Sequence, residues 1–316
     1  MGRAARRARR RRLSPRRRTF PLVPLRRLQG TPFGERQSAR RGRGSDISGT
    51  RPYVPGDPVS TIDWFASARL SSASGEDEFL VRESFAEEAP RVLIVVDRTP
   101  SMSIYSPELP WLDKPGAVVA AADAISRSAT QARSELGSAD AAGGREHVYS
   151  PGSAAPRHIL DRVRRAPYDA PRGSLAHTLS ELLNRRAELP QGSFVFILSD
   201  FLDDLGSALL TRLRGAMWDV VPVIVQDPTW EQSFPEIPGI VVPYVLPGES
   251  DEQLVRLSRS EVAQLRRANE SRLADRQKRF RSRGFDPVLL GTSAPFAVDS
   301  AFLAWAKRRQ MRRRRQ

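Results

Sequence analysis

The chain has 316 residues, of which 40% are hydrophobic, and it carries a formal net charge of +15. This hydrophobic fraction is ordinary for a globular protein and excludes a wholly disordered chain, while the absence of cysteine excludes disulfides, thiolate zinc sites and a cysteine nucleophile. Its longest apolar runs are far shorter than the roughly 20 residues that a membrane-spanning helix needs. We therefore expect a cytoplasmic protein with no transmembrane segment.

The basic excess lies at the two ends of the chain. Residues 1–18 contain ten Arg, residues 307–316 contain seven Lys or Arg, and neither segment contains an acidic residue. Such termini are typical of solvated tails that attract polyanions without reading a base sequence. We predict a disordered basic tail over residues 1–30, a second basic tail over 307–316, and no specific binding of nucleic acid.

Residues 31–90 differ in texture from the rest of the chain. They are rich in Gly, Ser, Arg and turn signals such as Pro55-Gly56-Asp57, which predicts turns and short strands. From residue 91 onward, short apolar runs alternate with longer segments of helical periodicity. The predicted strands cover residues 92–96, 147–149, 194–198, 220–225 and 288–290. The predicted helices cover residues 118–136, 175–182, 209–216, 252–281 and the surroundings of 301–305.

Two of these helices have clear signatures. One apolar face is formed by residues that recur at steps of three and four: Val118, Ala122, Ile125, Ala129, Ala132 and Leu136. The 252–281 helix is introduced by two matches to the capping-box pattern, at residues 250–253 and 258–261. Alternating strands and helices predict an α/β domain over residues 91–306, with a mainly parallel central sheet, helices on both faces and further helices at its C-terminus.

Three predicted strands are followed by aspartate, at Asp97, Asp200 and Asp227. In open α/β sheets, ligands bind beyond the carboxyl ends of the strands, so these acids are candidates for a shared site. An aspartate after a strand also commonly caps the next helix or begins a turn. Both interpretations stay open for each of the three.

The run Asp97-Arg98-Thr99-Pro100-Ser101 places side-chain oxygens at alternate positions directly after a buried strand. Alternate side chains of an extended segment point the same way, so one carboxylate and two hydroxyls can converge. Mg²⁺ prefers oxygen ligands and leaves positions to water or to an outside group. The run therefore predicts a site for Mg²⁺, or for Mn²⁺.

This run resembles the metal-ion-dependent adhesion site of von Willebrand factor A domains, Asp-x-Ser-x-Ser, with Thr99 in place of the first Ser. That resemblance implies a Rossmann-like von Willebrand factor A domain over residues 91–306. It also implies two further ligands from later loops, and Ser174 and Asp200 stand in the matching order. The implied metal ligands are Asp97, Thr99, Ser101, Ser174 and Asp200.

The segment before the first buried strand resembles the bacterial domain-of-unknown-function family 58. The resemblance rests on Tyr53-Val54-Pro55-Gly56-Asp57 and Ile62-Asp63-Trp64, and it runs from about residue 37 to about residue 247. Ser60 departs from the Arg that is usual in the family. The resemblance implies a non-enzymatic adaptor that binds a protein partner, a MoxR-type AAA+ ATPase, through the metal-dependent face.

Three other functions remain open from the residues alone. The metal site could be degenerate, which would leave a metal-independent scaffold. The Arg-rich tails could bind polyanions. A phosphatase could use Asp97 as its nucleophile, although Thr99 stands where its second acid would be expected. Arg98 lies within the run from Asp97 to Ser101, the metal run, where it would either weaken metal binding or meet an acidic partner.

Overall fold

The protein divides into two compact units, one formed by Gly30–Ala89 and the other by Met1–Gln29 together with Pro90–Gln316. The computed structural model describes residues 17–25, 47–54, 59, 62–75, 78–84, 90–104, 111–185, 188–245 and 252–315.

The described residues of the smaller unit form an antiparallel pair of strands and a helix. Strand β1 (Ile47–Pro52) pairs antiparallel with β2 (Leu80–Ser84), and helix α1 (Trp64–Ser74) lies between them in sequence. Asp63 caps α1, since its side chain accepts a hydrogen bond from the Ala66 amide at 3.1 Å. The sequence predicts turns and short strands here and does not predict α1.

The larger unit is built on a six-stranded sheet with the strand order β10-β7-β6-β3-β4-β5. Every neighbouring pair is parallel except β4 and β5. The six strands are β3 (Val92–Val96), β4 (Leu136–Ala142), β5 (Arg145–Tyr149), β6 (Phe194–Ser199), β7 (Asp219–Val225) and β10 (Val288–Leu290). A separate antiparallel pair is formed by β8 (Val241–Val245) and β9 (Glu252–Arg256).

Helices cover both faces of this sheet. They are α2 (Lys114–Gln131), α3 (Pro156–Arg165), α4 (Ser174–Asn184), α5 (Ser207–Gly215), α6 (Arg259–Ser282) and α7 (Pro295–Arg315). Side chains of α2, α3 and α7 pack on Val92, Ile94 and Val96, whereas those of α4, α5 and α6 pack on Leu93 and Val95. Because alternate residues of β3 face opposite sides, a strand buried throughout is uniformly apolar. The predicted mixed α/β class with a mostly parallel sheet is confirmed.

Two predicted helix boundaries are wrong. Helix α2 ends at Gln131, because Arg133 adopts a positive φ of 55° that a helix does not continue through;. Leu136, predicted on the same helix face, therefore begins β4. Residues 252–256 form β9 rather than helix, because pairing with β8 outweighs the local capping pattern;. The first two residues of that capping pattern, 250 and 251, lie outside the described residues.

The second capping box is confirmed at the start of α6. The Ser258 hydroxyl accepts a hydrogen bond from the Glu261 amide, and the Glu261 carboxylate accepts one from the Ser258 amide at 2.7 Å. This reciprocal pair satisfies two backbone donors that a helix start leaves free.

The prediction of a disordered tail over residues 1–30 is wrong for residues 17–25, which pack along α7. The Phe20 ring is 3% exposed and stacks on Phe302 with 4.8 Å between ring centroids. Arg17 donates to Asp299 at 2.9 Å, and the Leu25 amide donates to Asp219 at 2.7 Å. The buried Phe20 ring, with hydrogen bonds to acidic side chains on either side of it in sequence, thus makes this basic segment part of the core.

The predicted basic tail over residues 307–316 is helical as far as Arg315, at the end of α7. Arg309 is buried there: its guanidinium lies 2.9 Å from Asp219 and 3.2 Å from Asp286. It also lies over the Trp305 ring, 4.2 Å from the centroid. A buried arginine of this kind requires paired acids, and both acids belong to the domain core. None of the helices in the described part of the chain is long and apolar enough to cross a membrane.

Replacing Phe20 with Ala is expected to lower the free energy of unfolding by about 3–5 kcal/mol, the usual cost of removing a buried phenyl ring. Chemical denaturation of the full chain measures this loss. Phe296→Ala, a truncation of a ring on α7 that is 46% exposed, should cost far less. Equal effects of the two changes would show that residues 17–25 do not belong to the core.

Candidate functional site

The strand ends meet at one edge of the sheet. Strands β6 and β3 lie side by side in parallel, and β7 lies on the other side of β6. Asp97 and Asp200 directly follow β3 and β6, and Asp227 follows β7 by two residues. All three aspartates are almost completely buried, at 4%, 1% and 1% exposure. The predicted placement of these acids beyond the strand ends is confirmed.

Asp97 organises the loop that follows β3. Its Oδ1 accepts hydrogen bonds from the Thr99 amide at 3.0 Å and from the Thr99 hydroxyl at 2.9 Å. The Thr99 hydroxyl in turn lies 3.2 Å from the hydroxyl of Ser101. Ser101 belongs to a single 3-10 turn, Pro100–Met102, which follows Thr99 in extended conformation. Three of the predicted ligands are therefore joined in one hydrogen-bonded chain.

The charge of Asp97 has no basic partner among the residues that the structure describes. Its Oδ2 accepts a hydrogen bond from the Ser199 hydroxyl at 2.6 Å. Burial raises the pKa of Asp97, the hydrogen bonds from Ser199 and Thr99 oppose this rise, and the nearby charge of Asp200 adds to it. A cation at this carboxylate would relieve both the burial cost and the repulsion.

Asp200 differs from Asp97 because it has a basic partner. Its Oδ2 lies 3.1 Å from the Lys114 ammonium, and its Oδ1 accepts a hydrogen bond from the Leu202 amide at 3.0 Å. Its backbone carbonyl accepts a hydrogen bond from the Gln226 side chain at 2.7 Å. Two contacts thus fix the carboxylate of Asp200, and the Gln226 contact fixes its backbone.

Lys114 is the residue of the site that sequence reasoning missed. Its side chain is 1% exposed, and its ammonium contacts the Ser101 carbonyl at 2.9 Å and Glu231 Oε1 at 2.5 Å as well as Asp200. Burial raises the pKa of Glu231, and the charge of Lys114 opposes that rise. The one sequence signal is its place between Asp113, which caps α2, and Pro115.

Arg98 takes neither of the roles predicted for it. Its guanidinium is fully buried, 3.3 Å from Asp140, and it donates to the Val163 carbonyl at 3.1 Å. It also lies over the Tyr168 ring, 4.9 Å from the centroid. Asp140 lies on β4 and Val163 lies on α3, so the guanidinium of Arg98 joins α3 to the sheet. Its contacts are with these groups and not with the oxygens of the metal run.

Ser174 is the predicted ligand with the weakest connection to the others. It begins α4 after Gly173, which has a positive φ of 81°. In the described part of the chain, no hydrogen bond joins the Ser174 side chain to the other predicted ligands. Nor do three or more His, Asp or Glu side chains gather there as a metal-binding group. The donor set that is assembled consists of two carboxylates and two hydroxyls.

Asp227 has a structural role. Its Oδ1 accepts hydrogen bonds from the Thr229 and Trp230 amides at 2.8 Å each, and its Oδ2 accepts one from the Leu112 amide at 2.6 Å. These contacts are those of an aspartate that begins a turn. Of the three strand-end acids, Asp97 and Asp200 remain as candidates for binding.

The oxygen donors fit Mg²⁺ by their chemistry. Asp97 supplies a buried carboxylate with no basic partner among the described residues, and Thr99 and Ser101 supply adjacent hydroxyl oxygens, which are the hard ligands that Mg²⁺ takes;. Asp200 shares its charge with Lys114, yet each carboxylate oxygen can accept more than one contact.

A family model described as "Protein of unknown function DUF58" matches residues 49–279. The chain belongs to this family. It is 28% identical to uncharacterized proteins of Mycobacterium bovis and Mycobacterium tuberculosis, over 71% of this chain and 68% of each relative.

Three solved structures also resemble the chain. One is described as conserved hypothetical protein BatB from Bacteroides thetaiotaomicron, at 15% identity and a TM-score of 0.37, covering 69% of this chain and 99% of that one. An aerotolerance-related membrane protein from Bacteroides fragilis has 10% identity, the same TM-score of 0.37 and the same coverage, 69% and 99%. Pilus adhesin SpaC from Lactobacillus rhamnosus GG has 12% identity and a TM-score of 0.39, covering 73% and 31%. None of these three similarities bears on the function of this chain.

Replacing Lys114 with Met should lower the free energy of unfolding at pH 7 by about 3–5 kcal/mol, because two buried carboxylates would lose their shared cation. Lys278→Met, on the exposed side of α6, is the matched control and should change stability by less than about 0.5 kcal/mol. Adding Glu231→Gln to Lys114→Met should restore part of the loss. Denaturant titration that finds Lys114→Met as stable as the control would contradict the role given to this ammonium.

Proposed function

We propose that the chain is a non-enzymatic protein-interaction module that binds its partner through a Mg²⁺-dependent adhesion-type site. The observation that supports this most strongly is the buried Asp97 carboxylate, hydrogen-bonded to Thr99 and next to Asp200, with no basic partner among the described residues. A site that holds a negative charge at such cost is suited to a cation. Thr99 and Ser101 complete the oxygen-rich face.

In this proposal the residues that hold the metal are Asp97, Thr99, Ser101 and Asp200, with Ser174 as a fifth ligand from the start of α4. Bound Mg²⁺ supplies a coordination position that a carboxylate from another protein can take. The protein's own contribution is to fix the oxygens: Ser199 holds Asp97, and Lys114 holds Asp200 and the Ser101 carbonyl. These contacts keep the loops in place before a partner arrives, which lowers the cost of binding.

The proposal includes a fold assignment, in which residues 91–306 form a Rossmann-like von Willebrand factor A domain. A parallel sheet whose site lies beyond the carboxyl ends of two adjacent strands is the arrangement of a Rossmann-like von Willebrand factor A domain. The order of the ligand-bearing loops, after β3, before α4 and after β6, agrees with that of an adhesion site.

The proposed partner is a MoxR-type AAA+ ATPase, for which the chain would act as an adaptor. This partner is what the resemblance to the family implies, since the matching family model itself is described only as of unknown function. A metal-dependent face gives such an adaptor a strong, charge-assisted contact at a defined point.

A second candidate function is a scaffold that binds without a metal. It is favoured by one observation, the Lys114 ammonium that already lies 3.1 Å from Asp200. An ammonium beside one of the two carboxylates supplies part of the positive charge that a metal would bring. The two functions differ in what chelation does to partner binding.

Capture of the purified MoxR-type ATPase of the same organism by the immobilised full chain tests the proposal. With Mg²⁺ present, Asp97→Ala should weaken capture at least tenfold, which corresponds to about 1.4 kcal/mol, and EDTA should have the same effect on the unchanged chain. Asp161→Ala, which removes a half-exposed aspartate on α3, is the control and should bind normally. Strong capture that neither EDTA nor Asp97→Ala reduces would support the scaffold and contradict the metal-dependent module.

A further inference from the structure

A cavity of about 230 Å³ lies beside the proposed metal site, between the loop that follows Asp200 and helix α6. Phe201, Leu205 and Phe280 form its apolar wall, and Arg272, Arg276 and Arg279 reach it from successive turns of α6. Small-molecule sites usually measure roughly 300–1,000 Å³. The smaller volume here suits one side chain of another protein better than a metabolite.

The charged residues of the cavity leave a positive excess once their ion pairs are removed. Asp204 pairs with Arg279 at 2.8 Å, and Asp203 pairs with Arg172, outside the cavity, at 3.4 Å. The carboxylate of Asp275 accepts a hydrogen bond from Ser271 at 3.3 Å. With those pairs removed, the lining retains two arginines, at 272 and 276, and one acid, Asp275, which is an excess of one positive charge.

Arg276 is the group whose contacts are incomplete. Its side chain is partly buried, and within the described part of the chain no hydrogen-bond acceptor or ion-pair partner contacts its guanidinium. Burial lowers the pKa of Arg276, the charges of Asp200, Glu231 and Asp204 oppose this, and the charge of Arg272 adds to it. By contrast, Arg272 donates to Asn269 and Arg279 donates to Asp204. A guanidinium offers five N–H donors, so Arg276 has a fork available for an incoming acceptor.

The cavity is connected to the metal run through Ser199. The Ser199 hydroxyl donates to Asp97 and accepts from the Phe201 amide at 2.8 Å. Phe201 has a positive φ of 52°, which is unusual for a bulky residue and is typical of functional loops. Its ring packs on Phe280 of α6, with 5.0 Å between centroids. The residue next to Asp200 thus forms the wall of the cavity.

We propose that this cavity receives an aspartate or glutamate side chain of the partner protein, with Arg276 as the residue that binds its carboxylate. This inference rests on the proposed function, since it assigns the cavity to the same binding face. A planar guanidinium binds a carboxylate through two parallel hydrogen bonds. A singly charged carboxylate suits the cavity better than a phosphate dianion, because three aspartates also line it.

The test uses nuclear magnetic resonance of the ¹⁵N-labelled full chain, stripped of metal and then dialysed into metal-free buffer without a chelator, so that neither a metal nor a competing carboxylate contributes. The probes are the peptide acetyl-Gly-Glu-Gly-amide and its neutral counterpart acetyl-Gly-Gln-Gly-amide. The glutamate peptide should shift the Arg276 side-chain Nε–H signal and the Leu202 and Leu205 amide signals. The glutamine peptide should produce shifts at least fivefold smaller at equal concentration.

Variants of α6 identify the residue responsible. Arg276→Met should abolish the shifts at Leu202 and Leu205, and Arg276→Lys should retain a weaker response, because it keeps the charge but not the planar fork. Arg281→Met, an exposed arginine of the same helix that contacts Gln277, should respond as the unchanged chain does. Melting temperatures of all variants establish that they are folded.

The inference is overturned if the glutamine peptide gives equal shifts, if the shifts persist in Arg276→Met, or if inorganic phosphate binds more tightly than the glutamate peptide. These results are independent of the metal, because the chain and the buffer are free of metal throughout. Loss of Mg²⁺-dependent capture in Asp97→Ala alone would leave the carboxylate cavity standing. Conversely, normal capture by Arg276→Met would remove the cavity from the interface without affecting the metal proposal.

Discussion

The arrangement of the site depends on one buried cation, the Lys114 ammonium. It contacts Asp200 after β6, Glu231 after β7 and the Ser101 carbonyl after β3, so a single charge joins the loops of three adjacent strands. Breaking a buried ion network leaves uncompensated charge, which is among the most destabilising changes in a protein core. Lys114 contacts Asp200 and not Asp97, so the two neighbouring carboxylates differ: Asp200 has a basic partner within the fold, whereas Asp97 is held by hydroxyl and amide donors alone among the described residues.

Much of the fold was predictable because its signals are local. Continuous β-branched runs predict strands buried on both faces, and Val92–Val96 shows this directly;. Leu136 and residues 252–256 were misassigned because their partners lie far away in the sequence, where neither helical spacing nor a capping pattern contains the competing strand. The prediction for residues 17–25 was wrong for a similar reason. The basic residues around Phe20 predict a solvated tail, whereas the acids and rings that hold this segment belong to α7 and β7.

For the candidate site, sequence reasoning located the acids but not their partners. Asp97, Thr99 and Ser101 are close in sequence, and an extended loop is enough to bring their oxygens together. Lys114 and Glu231 are 117 residues apart, and general rules place such side chains in solvent unless they are paired. Only the three-dimensional contact shows that they are paired. Arg98 is the opposite case. Its place within the metal run suggested a role at the site, yet its guanidinium pairs with Asp140 on β4.

The proposed metal site requires the Asp97 carboxylate to bind a divalent cation while Asp200 is paired with Lys114. Calorimetric titration of MgCl₂ into the metal-free full chain measures this binding. Saturable heat from one site per chain is expected, absent in Asp97→Asn and retained in Asp161→Asn. The absence of any saturable heat from the unchanged chain, or equal heat from Asp97→Asn, would contradict it.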